Sequence, residues 1–181
     1  VARPIKAKSG RLALGTDVGL RTGDNEDALV LDTEHDAFAV IDGMGGYEYG
    51  EVAARIVAEE IQRGVQEHVT PSDMQRRAHL RMRENGIREG GACYAAGQII
   101  GKKLHVWHAG DVELMVVDRR GTIKFAIEEI SLQNAPRGLY PGTAILDRID
   151  FMNYDRIIAA SDGLLDNVDI REAVLAVKDL P

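Results

Sequence analysis

The sequence predicts an α+β domain of antiparallel sheets with helices packed outside them. Three observations carry this. Short apolar runs of strand length open the chain, helical periodicity follows between residues 50 and 86, and strand-like runs resume after Gly90-Gly91. Strands and helices that come in groups, rather than alternating, mark an α+β architecture. The 181 residues are enough for one domain of ordinary size.

Taken in order, residues 1–10 are basic, carry Pro4 and Gly10, and read as a loose lead-in to a domain spanning 11–181. "RLALGTDV" (11–18) reads as a first strand. "DALVLDT" (27–33) and "AFAVID" (37–42) are two more, joined by a polar turn at Glu34-His35-Asp36. The second is apolar at successive positions, so both faces of its sheet must be covered. Gly50-Glu51 opens a helix to about His68, whose stripe is Ala53, Val57, Ile61 and Val65. Thr70-Pro71-Ser72-Asp73 is a helix start: a capping hydroxyl, proline at the first helical position, then an acid. Met74, Ala78 and Met82 form that helix's apolar face, and Asn85-Gly86 ends it. "ACYAAGQIIG" (92–101), "KLHVWHAG" (103–110), "VELMVVDRRG" (112–121) and "TIKFAIEE" read as a meander. Residues 131–148, with Pro136, Gly138, Pro141 and Gly142, read as irregular. "DRIIAASD" (155–162) reads as a buried strand, and Asp169 with Glu172 caps a last helix bearing Ile170, Val174 and Val177.

A net charge of −7 argues against a nucleic-acid partner. The one basic cluster, Arg76, Arg77, His79, Arg81 and Arg83, reads as a solvated helix face. The single cysteine, Cys93, excludes an intrachain disulfide and a Cys-rich zinc site, and reads as a packed thiol in a reducing compartment. No run approaches the ~20 apolar residues of a membrane helix, and the amino end lacks the apolar core of a signal peptide. A cytoplasmic protein without a membrane partner is the expectation.

Four acids stand where strand-like runs begin or end: Asp27, Asp42, Asp111 and Asp162. Buried carboxylates are costly unless paired, hydrogen-bonded or metal-bound. Several converging acids without basic neighbours point to a hard divalent cation, because oxygen ligands suit magnesium, manganese or calcium. Each Asp-Gly alone is an ordinary turn. Asp42-Gly43 and Asp162-Gly163 together say more, since both follow apolar runs and both precede helix-forming sequence.

"DVGLRTGDNEDALVL" followed by "FAVIDGMGGYEYGEVAARI" closely resembles the PP2C (PPM) family of metal-dependent serine/threonine protein phosphatases. The family's Asp-x-Gly-x-x-Arg, Asn-Glu-Asp and Asp-Gly-Met-Gly-Gly blocks occur in order, and "HAGDVELMVVDRRG" and "DRIIAASDGLLDNV" resemble its Gly-Asp hairpin and Ser-Asp-Gly segment. The resemblance spans roughly residues 12–175. It implies a four-layer α-β-β-α sandwich of two antiparallel sheets flanked by helices, and two Mn²⁺ or Mg²⁺ ions that activate a water for attack on phosphorus. By position, Asp42 would bridge both ions, Gly43 would ligate through its carbonyl, and Asp162 would bind the first. Asp27 and Glu26 would hold the water around the second, Asp111 would bind a third, weaker ion, and Arg21 would hold the phosphate. Asp42, Asp162 and Arg21 would then be the catalytic residues. The implied substrate is phosphoserine or phosphothreonine in a protein, with a serine/threonine kinase or its targets as partners.

The sequence also departs from the family. Its usual last strand, with a further Asp that ligates the first metal, is not found before Pro181, and Asp166-Asn167 stands too early to be that motif. Val112-Glu113 replaces Ser-Arg after Asp111, and Met44 stands where some members carry histidine. A fragment, a compact form that uses Asp166 or Asp169, and a weak or inactive pseudophosphatase that binds phosphoproteins are the three open readings.

Overall fold

The computed structural model describes residues 5–6, 10–12, 15–17, 25–44, 49–127, 145–152 and 155–178. Strands β1 (Ile5–Lys6) and β2 (Arg11–Leu12) pair antiparallel with Ile5 opposite Leu12. The expected strand over 11–18 is thus a two-residue edge of a small hairpin, and residues 15–17 carry no strand. Strands β3 (Asp27–Asp32) and β4 (Ala37–Gly43) flank the expected turn, where Asp36 takes a positive φ of 49°. Asp32 closes that turn by accepting from the backbone N–H groups of Glu34 and His35 at 3.0 and 2.9 Å.

Helices α1 (Gly50–Gln66) and α2 (Pro71–Glu84) follow. All four residues of the α1 stripe are buried, as are Met74, Ala78 and Met82 of α2. Thr70 caps α2 as the sequence predicts, accepting from the Asp73 N–H at 3.2 Å. The basic face of α2 is not simply solvated. Arg81 reaches Glu59 at 2.6 Å and the fully buried Glu60 at 2.8 Å, and Arg77 reaches Glu67 at 2.6 Å, so arginines of α2 clamp carboxylates of α1. Glu60 also meets Arg63 at 3.1 Å. Removing one partner of a buried ion costs more than the pair is worth. Arg81→Ala is therefore expected to destabilise the fold by about 2 kcal/mol, Arg63 retaining part of the compensation; chemical denaturation measures this, and an unchanged midpoint would show that Glu60 needs only Arg63.

Strands β5 (Ala92–Ile100), β6 (Lys103–Ala109), β7 (Glu113–Val117), β8 (Ile123–Ala126), β9 (Ile145–Asp150) and β10 (Arg156–Ala160) complete the sheets, with helices α3 (Asp162–Leu165) and α4 (Ile170–Lys178) after them. One sheet runs β3-β4-β5-β6-β9 and a second runs β10-β7-β8, every pairing antiparallel. Strand alternation separates the layers. Ala37, Ala39, Ile41, Tyr94 and Trp107 face α1 and α2, while Phe38, Val40, Ala95 and Val106 meet Leu114 and Val116 of the second sheet. On the far side of that sheet, Met115 and Val117 pack against Val174 and Ile170 of α4. This is the expected α-β-β-α sandwich, and it explains why β4 is apolar on both faces.

Three further sequence expectations change. Part of the stretch read as irregular is β9, paired to β6; its polar Asp147 and Arg148 disguise an edge strand. The strand read as buried, β10, is half-buried except at Ala160, and it pairs only with β7 among the described residues. The Gly110-Asp111 segment does not close a hairpin within one sheet, because β6 and β7 belong to different sheets and the chain crosses between them there. Pro136, Gly138, Pro141 and Gly142 lie outside the described residues. No helix of the described residues is long and apolar enough to cross a membrane.

Candidate active site

The acids meet where strand ends of both sheets come together. Asp27 begins β3, Asp42 lies directly opposite it near the end of β4, and Cys93 of β5 lies opposite Asp42 in turn. By alternation Asp42 and Cys93 share the inter-sheet face with Val40 and Ala95. Asp111 follows the sheet-crossing turn, and Asp162 is the first residue of α3, just after β10. Ser161, itself buried, donates to Asp27 Oδ2 at 3.3 Å and ties the second sheet to the first. Asn25 holds the start of β3 by accepting from the Asp27 N–H at 3.0 Å.

The electrostatics identify the centre of the group. Burial pushes the Asp42 carboxyl up to about 7, helped by the negative charges of Asp27, Asp162 and Asp111 and by a hydrogen bond with Asp162. All three of these charged neighbours are aspartates. Such crowding is costly unless a cation or protons relieve it. Asp27, Asp42, Asp111 and Asp162 are thus brought together as the sequence suggested, and their all-oxygen donor set fits a hard divalent ion. The fit is chemical rather than geometric: among the described residues no three carboxylate, imidazole or thiol groups are gathered tightly enough to cage an ion.

Gly43 is fixed by its surroundings. Its N–H donates to the Glu26 carbonyl at 3.1 Å, and a Cβ there would strike the Gly50 carbonyl and lie 2.8 Å from Glu26 O. The amino end of α1 therefore packs against the end of β4 with no room for a side chain. Gly43→Ala is expected to cost about 3 kcal/mol and to displace Asp42 from its neighbours; a thermal melt and Mn²⁺ calorimetry check both effects, and an unperturbed melt would contradict the packing described.

Glu26 reaches the first turn of α1. Its carboxylate lies beside Gly50, where a Cβ would come within 2.9 Å of Oε1, so it faces the first turn of α1 and the positive end of that helix. Arg21 lies outside the described residues, as do Gly45 and Gly46. His108 is buried on β6 and burial lowers its pKa, with Asp147 3.9 Å away pulling the other way.

Sequence reasoning missed two neighbours of the acids. Cys93 is a packed thiol, but it packs in the site. Burial pushes it up to about 12, while the Asp111 N–H and carboxyl both hydrogen-bond with it. Gly110, at φ 92°, permits this, since a Cβ there would strike the Cys93 sulfur. Ser161 was read only as part of a motif. The signal for Cys93 was parity: it is the position of β5 that faces Asp42.

No protein-family model matches the chain, and no curated protein sequence matches it. Solved structures do. The Mycobacterium tuberculosis serine/threonine phosphatase PstP/Ppp aligns with a TM-score of 0.73 at 20% identity, covering 100% of this chain and 85% of that one. The photosystem II phosphatase PBCP aligns with a TM-score of 0.71 at 22% identity, covering 87% and 67%. PppA, a regulatory component of T6SS in Pseudomonas aeruginosa, gives 0.68 at 20% identity, covering 87% and 79%. These likenesses define the class of architecture: the chain has the fold of the PP2C-type serine/threonine phosphatases. A structure of the PstP catalytic domain in this group is a complex with two manganese ions.

Proposed function

We propose that the chain is a PP2C-family protein phosphatase, with residues 11–181 as its catalytic domain, that hydrolyses phosphoserine and phosphothreonine in cytoplasmic proteins. One observation carries the reading: four aspartates crowd together at the seam of a phosphatase-type sandwich, where burial, with the charges of the other three added, raises the Asp42 carboxyl. Asp42 would lie between two Mn²⁺ or Mg²⁺ ions with the Gly43 carbonyl beside it. Asp162 would serve the first ion, Asp27 and Glu26 the second through water, and Asp111 a third, weaker one. When bound, the ions supply Lewis acidity and a water of lowered pKa. Arg21 would hold two phosphate oxygens in a planar fork that a lysine cannot reproduce. Ser161 and Asn25 keep Asp27 in place for this work.

A pseudophosphatase that binds phosphoproteins without turnover is the second reading. It rests on the departures from the family pattern, among them Val112-Glu113 in place of Ser-Arg after Asp111. Hydrolysis of p-nitrophenyl phosphate and of a phosphothreonine peptide, with and without Mn²⁺, separates the two. Manganese-stimulated release of phosphate supports the enzyme. Binding of the phosphothreonine peptide without release of phosphate at saturating Mn²⁺ favours the binding module.

A further inference from the structure

We propose that the groove between the start of β7 and the start of α4 seats the polypeptide beside the phosphorylated residue, and that Glu113 selects a basic side chain there. The inference rests on the phosphatase reading above and names the class of substrate that the site favours. Glu113, Val168, Asp169, Ile170 and Arg171 line the groove, which is open to solvent and leaves about 630 Å³, room for a short stretch of chain. Strand register places it beside the acids. Glu113 lies opposite Ala160 of β10, and Ser161 and Asp162 follow Ala160 directly. Glu113 also follows Asp111 by two residues, at most about 7 Å along an extended chain. A neighbour of a phosphoserine held at the aspartates is carried about as far.

Alternation sets the outlook of Glu113. Leu114 and Val116 turn into the sandwich, whereas Met115 and Val117 share the face of Glu113 and pack under α4. Glu113 stands at the end of that face, beside the first residues of α4 rather than beneath the helix, and is exposed. Charge says what the groove takes. Val112-Glu113 stands where the PP2C pattern has Ser-Arg, so an acid replaces a base at this position. Asp169 adds a second carboxylate, one oxygen of which accepts from the Arg171 N–H at 2.7 Å. The one cation of the lining, Arg171, forms no ion pair with either acid among the described residues, and Glu113 has no hydrogen-bond or ionic partner among them. An exposed, unpaired carboxylate beside a peptide-accepting site attracts a lysine or arginine of that peptide and repels an acid.

Labelled peptides centred on a non-hydrolysable phosphonate analogue of phosphoserine, flanked by arginines or by glutamates, test this by fluorescence anisotropy in Mn²⁺ without need of turnover. The parent is expected to bind the arginine peptide about fivefold more tightly than the glutamate peptide, the scale of exposed ion pairs, and high salt should erase the preference. Glu113→Arg is expected to reverse the order while leaving hydrolysis of p-nitrophenyl phosphate unchanged, since that substrate has no flanking chain. Glu84→Arg makes the same change of charge at the exposed end of α2, in the opposite outer layer, and should keep the parent's order. Binding of neither peptide, equal affinity for both, or a preference that Glu113→Arg leaves intact or that Glu84→Arg shifts equally, would overturn the proposal. A parent that shows the peptide preference but hydrolyses no p-nitrophenyl phosphate would overturn the phosphatase reading and leave the role of the groove standing.

Discussion

Asp42→Asn is expected to abolish phosphate hydrolysis while making the metal-free protein more stable. The two effects have one cause. Asp42 is the residue on which the other acids press: burial and the charges of Asp27, Asp162 and Asp111 lift its carboxyl to about 7. An amide at that position keeps the shape and removes the charge. Repulsion falls, so the metal-free fold gains. In the proposed reading Asp42 serves both cations, so without its charge they would bind weakly or singly. If the ions contribute about 4 kcal/mol to the transition state, turnover drops about a thousandfold. Steady-state kinetics at saturating Mn²⁺ and a melt in EDTA check the two halves. A variant that melts lower than the parent in EDTA would contradict the crowding, and one that keeps full turnover would remove Asp42 from the reaction.

The second large effect concerns pH. The folded Asp42 carboxyl titrates near 7 against an ordinary 3.8, so between those values the folded state holds a proton that the unfolded chain has released. Stability from this group is therefore full below about 4 and drains away as pH rises to 7. The displacement is worth ~4 kcal/mol unscreened and about 2 kcal/mol for a carboxyl that keeps contact with solvent. In EDTA, the melting temperature is expected to fall as pH rises from 4 to 7, apart from other groups, and Asp42→Asn should flatten that slope. Mn²⁺ should restore the loss at pH 7.5, since a ligand at a hundred times its Kd adds about 2.7 kcal/mol. A metal-free protein that is as stable at pH 7 as at pH 5, with no change in slope on Asp42→Asn, would contradict the account.

Much of this was legible in the sequence because it is local. The α1 stripe, the Thr70 cap and the Met74-Ala78-Met82 face are matters of spacing within one helix, and the structure keeps all three. The unbroken apolar run of β4 also carried its two-faced burial. What was not legible is pairing between distant elements. Glu59 and Glu60 meet Arg81 across more than twenty residues of chain, so the basic cluster of α2 looked solvated when read alone. Strand β9 is an edge strand with acidic and basic positions, and it lacks the apolar run by which inner strands announce themselves. The step from one sheet to the other at Gly110 has no local signature beyond a glycine. Of the candidate site, Asp27, Asp42, Asp111 and Asp162 come together as read, the Glu26 carboxylate lies beside Gly50 at the start of α1, and Cys93 and Ser161 join the acids.

The central claim is that the four aspartates hold divalent cations. Isothermal calorimetry of Mn²⁺ into EDTA-stripped, dialysed protein at pH 7.5 tests it most directly. The account predicts two tight sites in the parent protein, reduced to at most one weak site in Asp42→Asn. Absence of measurable heat in the parent, with the fold intact by circular dichroism, would contradict it.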